Sequence, residues 1–399
     1  MDRQDAADRG VEWIERRAAR DAPPVGAEPF DISAASVAVM LDTDPPPRRW
    51  LVQDRLPLGV VALLAAAGGT GKSMAVLQLA VAACTGLPWL GMDVGETGSV
   101  LIISAEDDRD DCHRRLHAVI ERLRDCGELP DSAAELIRER LHIVDRVGDD
   151  NRLTDTVDRV AVRTGYADRV IATAQELPQP VLIVMDPLAR FDGGEPNSNA
   201  DGTRLIECAE TIRRETGATV LLPHHVSKAG MRDGDAGQES VRGASGLVDG
   251  ARWVGLMATM RRDKAGRYGI RPEEAKWYVH FGVVKANGCA PWAGMWLQHQ
   301  AAGVLAPAML SDRQTDAIQE RADSRYEHIL AQTHALIRRH GPMSARHIRD
   351  QYSGQEGVMR AGQRAVWAAL RRAVEEGELF ERRREDNRGS DLHLPPGAE

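Results

Sequence analysis

The chain has 399 residues, a net charge of −9, and 43% hydrophobic against 28% charged residues, the proportions of a folded globular chain rather than a disordered one. The acidic balance argues against a simple basic coating protein for nucleic acid, and five widely spaced cysteines with no C-x-x-C pair argue against a disulfide framework or a zinc site. No apolar run nears the ~20 residues needed to cross a bilayer, and the start MDRQDAADRG has no apolar leader core, so a reducing cytosol is the expected compartment.

Residues 1–48 read as a polar, Pro-dotted tail, with a short helix expected over Val11–Arg20 and a stiff linker at Asp44-Pro-Pro-Pro47. From Trp50 the pattern changes. Val60–Ala65 is a continuous apolar run, the mark of a buried strand, and Met74–Thr85 follows with helical periodicity. Strands are predicted at Val100–Ser104, Leu141–Val144, Val181–Met185 and Thr219–Leu222. Helices are predicted at Asp110–Cys126, Ser132–Arg140, Tyr166–Leu177 and Gly202–Thr216. This alternation, with aromatics at only 4%, predicts an α/β fold with a doubly wound, mostly parallel sheet. Trp253–Met260, Trp277–Lys285 and Gly294–His299 read as a late antiparallel extension. A linker is expected at 311–325, followed by helices at Tyr326–His340, Ser344–Gln351 and Ala361–Glu376 and a hairpin of Leu379–Arg384 with Asp391–Leu394. The predicted division is therefore tail 1–48, main domain 49–310, linker 311–325 and a small winged-helix-like domain 326–399.

The run Ala66-Ala67-Gly68-Gly69-Thr70-Gly71-Lys72-Ser73 leaves a predicted strand and opens a helix that continues through Met74. That is a phosphate-binding loop in its proper context. Glycines let backbone N–H groups turn inward, and the helix N-terminus adds positive potential. Lys72 would reach the β- and γ-phosphates of ATP, and the Ser73 hydroxyl would hold Mg²⁺. Asp186, after four apolar residues, fits a carboxylate that orders the same ion. Glu106, at the tip of the Val100–Ser104 strand, is placed to orient an attacking water, while Asp107 and Asp108 read as helix caps.

Several motifs then coincide in order: AAAGGTGKSMAVLQLA, VLIISAEDD with His113-Arg114-Arg115-Leu116, VLIVMDPLARF, LLPHHVSK, RGASGLVDGARW and VVKANG. Over residues 48–310 this set resembles the RecA-like AAA family typified by the RepA replicative helicases of broad-host-range plasmids. The resemblance implies a RecA-like core in a homohexameric ring, ATP between subunits and single-stranded DNA in the central channel. It implies Glu106 as the catalytic carboxylate, Arg115 at the nucleotide, and His224 and His225 as sensor or DNA contacts. It also implies Arg252 as a finger entering the neighbouring site, and Lys285 as a second cation acting in trans. Two adjacent histidines on a strand point to opposite faces, and His225 is the expected polar contact. The resemblance leads to a helicase of a mobile element, with an ATPase that loads or regulates without unwinding as the alternative.

Two polar loops, Asp192–Asn199 and Val226–Gly243 with Lys228, Arg232 and Arg242, are candidates to line the channel. In the C-terminal part, Arg360, Arg364 and Arg371 share a helix side, and Arg382, Arg383, Arg384 and Arg388 lie on the hairpin. With 12 Arg against 11 acidic residues over 326–399, this part could bind duplex origin DNA or dock a replication protein.

Overall fold

The computed structural model describes residues 31–396 apart from 34, 158–159, 195–197, 227–244, 290–291, 355 and 385–388, with backbone alone at 157, 160, 245, 293 and 313–320. The expected Val11–Arg20 helix, part of the first polar loop, most of the second with Lys228, Arg232 and Arg242, and Arg388 fall outside the described residues. The chain divides into two units, Met1–Arg48 and Arg49–Glu399. The described part of the first holds one five-residue helix, Ala38–Asp42, with Val39, Met40 and Leu41 exposed.

The second unit is built on a nine-stranded sheet. Its strands are β3 (Val61–Ala66), β4 (Ser99–Ser104), β5 (Leu141–Asp145), β8 (Pro180–Asp186), β9 (Thr219–His225), β10 (Trp253–Thr259), β11 (Tyr278–Ala286), β12 (Trp292–His299) and β13 (Leu305–Ala308). Two hairpins outside this sheet are β1 (Trp50–Val52) with β2 (Leu56–Pro57), and β6 (Thr154–Val157) with β7 (Val160–Arg163). The spatial order is β13-β12-β11-β10-β3-β9-β8-β4-β5. The six strands from β10 to β5 are parallel, and β11, β12 and β13 extend the sheet antiparallel.

The parallel strands are apolar on both faces because helices cover both. Even-numbered residues of β3 and β4 (Ala62, Leu64, Val100, Ile102) join one core with α1 (Lys72–Thr85), α2 (Arg109–Asp125) and α3 (Asp131–Arg140). The alternate residues (Val61, Leu63, Leu101, Ile103) join a second core with α4 (Tyr166–Gln175), α5 (Asn199–Thr216) and α6 (Ser245–Gly250). Asp108 caps α2 by accepting from the Asp111 N–H at 2.8 Å, and Ser198 caps α5 by accepting from Asp201.

The sequence reading changes at three places. The stretch expected as a linker is helical: α7 runs Arg313–His340. Its first half is polar all round, so it lacks the apolar stripe that reveals a helix, yet no Gly or Pro interrupts it. The two hairpins and β13 are too short or too polar to register as periodic patterns. Gln78 of α1 explains how β13 is held: its side-chain amide donates to the Leu305 carbonyl at 2.9 Å and accepts from the Leu305 N–H at 3.0 Å, as a strand neighbour would.

Beyond α7 lie α8 (Ala345–Tyr352), α9 (Gln363–Glu375) and an antiparallel pair, β14 (Phe380–Arg383) with β15 (Ser390–His393). They share a separate core that includes Ile329, Ile348, Met359, Val366, Leu370 and Leu392. Arg372 of α9 locks this region to α7, pairing with Asp323 at 2.9 Å and Glu376 at 2.7 Å while lying over the Tyr326 ring.

Candidate active site

The sheet register brings the chemistry together. Ala66 of β3 lies beside His225 of β9, and Ser104 of β4 beside Asp186 of β8. The Ala105 N–H donates to the Asp186 carbonyl at 2.9 Å, which carries Glu106 over the end of β8. The loop after β3 then turns into α1 at Gly71, whose φ of +93° is left-handed. A Cβ there would also lie 2.8 Å from His299 Cε1, so the histidine ring would have to shift for any larger residue.

These strand tips enclose a cavity of about 420 Å³. Its walls hold Gly69, Gly71, Lys72, Ser73 and Met74 from the loop and helix, with Glu106, Asp107, Arg115, Asp186 and His225 from the neighbouring tips. Gly68 and Thr70 belong to the same loop but do not line the cavity; Thr70 is buried. Lys72 Nζ lies 3.7 Å from Asp186 Oδ1 and 3.5 Å from His225 Nε2, and His225 Nε2 lies 3.9 Å from Glu106 Oε2. The loop lysine, the candidate metal carboxylate, the candidate base and one histidine thus form one cluster.

Burial pulls the Lys72 ammonium below its ordinary pKa, and the carboxylates of Asp186, Glu106 and Asp107 oppose the shift. His224, facing away from the polar cluster by strand alternation, is depressed to about 4, chiefly by burial and then by Lys72, and so is neutral. Asp107 is not the cap it was expected to be. It lines the cavity and takes a 2.8 Å ion pair from Arg115, and burial raises its pKa against that cation. The Arg115–Asp107 pair holds the guanidinium at the cavity wall.

One wall was not foreseen. His299, at the end of β12, and Ala302 and Gly303, from the turn into β13, close the cavity beside Gly71. They lie more than two hundred residues from the loop they touch, and no motif marks them. The Gln78 clamp on Leu305 is what brings this turn to the P-loop helix.

A profile of the AAA domain family matches residues 26–231, more than half of the chain. The chain belongs to the AAA domain family. Among solved structures it is similar to an isolated ATPase domain, at 17% identity and TM-score 0.48, covering 71% of this chain and all of that one. It is also similar to a DnaB-like replicative helicase described with its primase interactions, at 16% identity and TM-score 0.43, covering 71% of this chain and 68% of that one. The α/β architecture with a mostly parallel sheet is the fold class expected from the sequence.

An AAA domain of this kind implies Mg²⁺ beside its nucleotide. Among the described residues no group of three His, Cys, Asp or Glu stands close enough to hold an ion alone. Ser73 and Asp186 both line the cavity, and one hydroxyl with one carboxylate suits a hard cation whose remaining ligands are water and phosphate oxygens. The donor set therefore fits.

Arg252 and Lys285 are not at this cavity. Trp253 of β10 lies in register with Ala62 and with Ala286 of β11, so both cations sit at the opposite end of the sheet from the P-loop. The Arg252 side chain is exposed. Lys285 Nζ donates to the Val248 and Asp249 carbonyls, each at 2.8 Å, and so caps the end of α6. Both positions lie beyond the matched family segment. Among the described residues no helix is long and apolar enough to cross a membrane.

Proposed function

We propose that the protein is a Mg-ATP-hydrolysing motor that assembles as a homohexameric ring and moves on single-stranded DNA, serving as a replicative helicase of a mobile element such as a plasmid or prophage. The observation that carries this reading is the convergence of Lys72, Glu106, Asp186, Arg115 and His225 on one cavity. In the proposed reaction Lys72 and the loop N–H groups hold the β- and γ-phosphates, and Ser73 and Asp186 hold Mg²⁺. Glu106 orients the attacking water and accepts its proton, and His225, between Glu106 and Lys72, senses the γ-phosphate.

The cavity supplies Lys72 and Arg115 as its own cations, and Arg115 is committed to Asp107. Extra positive charge for the transition state would come from Arg252 of a neighbouring subunit, which makes hydrolysis depend on assembly. The three helices and hairpin beyond residue 312 would form a winged-helix-like module that contacts duplex DNA or a replication protein through Arg364, Arg371, Arg382 and Arg383.

The test is ATP hydrolysis with and without single-stranded DNA, beside strand separation of a forked duplex. The expected result is hydrolysis stimulated by DNA, unwinding of the fork, and loss of both in Lys72→Ala. Hydrolysis without strand separation would discard the helicase and leave an ATPase that loads or regulates.

A further inference from the structure

Between β10 and β11 the chain makes a compact knuckle, residues 260–277, that no motif accounts for. It carries six cations against three carboxylates, in a chain whose net charge is −9. Three of those cations are engaged: Arg261 pairs with Asp263, Arg271 with Glu273 and Glu274, and Arg267 with Asp312 at 2.5 Å. Among the described residues Arg262, Lys264 and Lys276 form no ion pair. Beside them Trp277 is 50% exposed, with Lys276 Nζ 5.0 Å from its ring centroid.

The knuckle is not a loose loop. Met260, Ala265, Ile270 and Ala275 are buried in a small core of their own, packed by Tyr268, whose ring meets Trp296 edge-on at 5.1 Å. The Arg267–Asp312 pair ties the knuckle to the segment leading into α7, and the Met260 N–H closes its base on the Tyr278 carbonyl at 2.8 Å. The free cations and the half-bare indole are thus presented on a firm support. β10 runs parallel to β3, with Met257 in register with Ala66, so the knuckle leaves the same end of the sheet as the P-loop and His225.

We propose that this knuckle is a contact for single-stranded nucleic acid, with a base stacked on Trp277 and backbone phosphates held by Arg262, Lys264 and Lys276. A large aromatic left half in water among unpaired cations matches a strand, which offers π-faces and phosphates in alternation. An apolar protein partner would leave the three charges uncompensated. The inference deepens the motor reading and rests on it for the presence of a nucleic-acid strand at this end of the sheet. It assigns the aromatic contact that the two polar loops, which contain no aromatic residue, do not supply.

The experiment measures binding of the full-length protein to labelled oligo-dT by anisotropy across a salt series, with DNA-free ATP hydrolysis in parallel. Trp277→Ala is expected to weaken binding by at least about fivefold, with Trp277→Phe restoring most of it. Replacing Arg262, Lys264 and Lys276 together with Gln should flatten the salt slope by about 2, since each single-strand contact contributes roughly 0.7. DNA-free hydrolysis should be unchanged in all three variants. If wild type hydrolyses ATP and binds oligo-dT, and the variants bind it equally well, the knuckle assignment is overturned and the motor reading stands. If wild type hydrolyses ATP but does not bind oligo-dT, both are overturned. Variants that keep oligo-dT affinity but lose self-association in light scattering would make the knuckle an interface between copies, which also overturns it.

Discussion

Two sites at opposite ends of the central sheet, the P-loop cavity and the start of β10, handle positive charge in opposite ways. At the tips of β3, β9, β8 and β4, Lys72 and Arg115 are held among Glu106, Asp107 and Asp186, so each cation has an anionic neighbour before any nucleotide arrives. At the start of β10, Arg252 stands exposed while Lys285 beside it is tied to backbone carbonyls. The P-loop end is built to hold and balance a charged ligand. Among the described residues Arg252 forms no ion pair, which is compatible with the proposed contact to a neighbouring subunit. Two basic residues close together in one region therefore need not share a role: their partners in the protomer separate them.

Arg252→Ala puts that contrast at greatest risk. If this arginine completes a neighbour's site, kcat should fall by roughly a thousandfold, with nucleotide binding to the isolated subunit retained. Mixed assemblies with Lys72→Ala subunits, each defective alone, should regain part of the activity. Failure of that complementation would remove the trans role and leave Arg252 as an ordinary surface residue. Glu106→Gln tests the other end. It keeps the shape of the tip and removes the base, so turnover should drop by about a hundredfold while ATP affinity is maintained. A Glu106→Gln enzyme with near-normal turnover would reassign the water-orienting role to Asp107 or His225, its neighbours in the cavity.

How much of this was legible depended on how local the determinants were. The P-loop, Asp186 and Glu106 each follow an apolar run within a few residues, so strand, turn and chemistry are written together. The buried strands declared themselves by being apolar on both faces, as they must be when helices cover both. What escaped was non-local or unpatterned. His299 reaches the cavity only because Gln78 clamps Leu305, a pairing that no periodicity encodes. Asp107 sits one residue from a true cap, Asp108, and the choice between capping α2 and facing Arg115 is made by the path of the turn. The start of α7 hid because a helix polar all round looks like a linker. Trp277 was visible as a residue but not as exposed, since a strand-start tryptophan is usually core.

Acidification probes the P-loop end by stability rather than by rate. His224, beside the cavity cluster, has a pKa of about 4 in the folded protein against an ordinary 6.5. The unfolded chain therefore takes up a proton that the folded chain refuses, so stability is complete above pH 6.5 and is lost as pH falls toward 4. Between pH 7 and pH 5 this one group should cost about 2 kcal/mol. Asp107, raised by burial, works in the opposite direction. The measurement is therefore a difference: urea unfolding of wild type and His224→Gln at the two pH values, with the variant expected to show the shallower decline. An equal decline in both would place the acid sensitivity elsewhere.

The mildest change bears directly on the contrast. The resemblance to RepA-type helicases assigns Lys285 to a neighbour's nucleotide, while in this protomer its ammonium caps α6 through Val248 and Asp249. The two roles make different demands. A capping lysine contributes two charge-assisted hydrogen bonds at a half-exposed site, so Lys285→Met should lower unfolding stability by about 1 kcal/mol and leave kcat at saturating ATP within about twofold of wild type. A trans-acting lysine would do the reverse, leaving the melting temperature in place and reducing kcat at least tenfold. Since α6 immediately precedes Arg252, a third pattern carries information too. A modest loss of both, restored by Lys285→Arg, would mean that the lysine acts on catalysis by holding the helix that aims the arginine. In that case the two cations at the far end form one device after all, with Lys285 as its anchor and Arg252 as its reach.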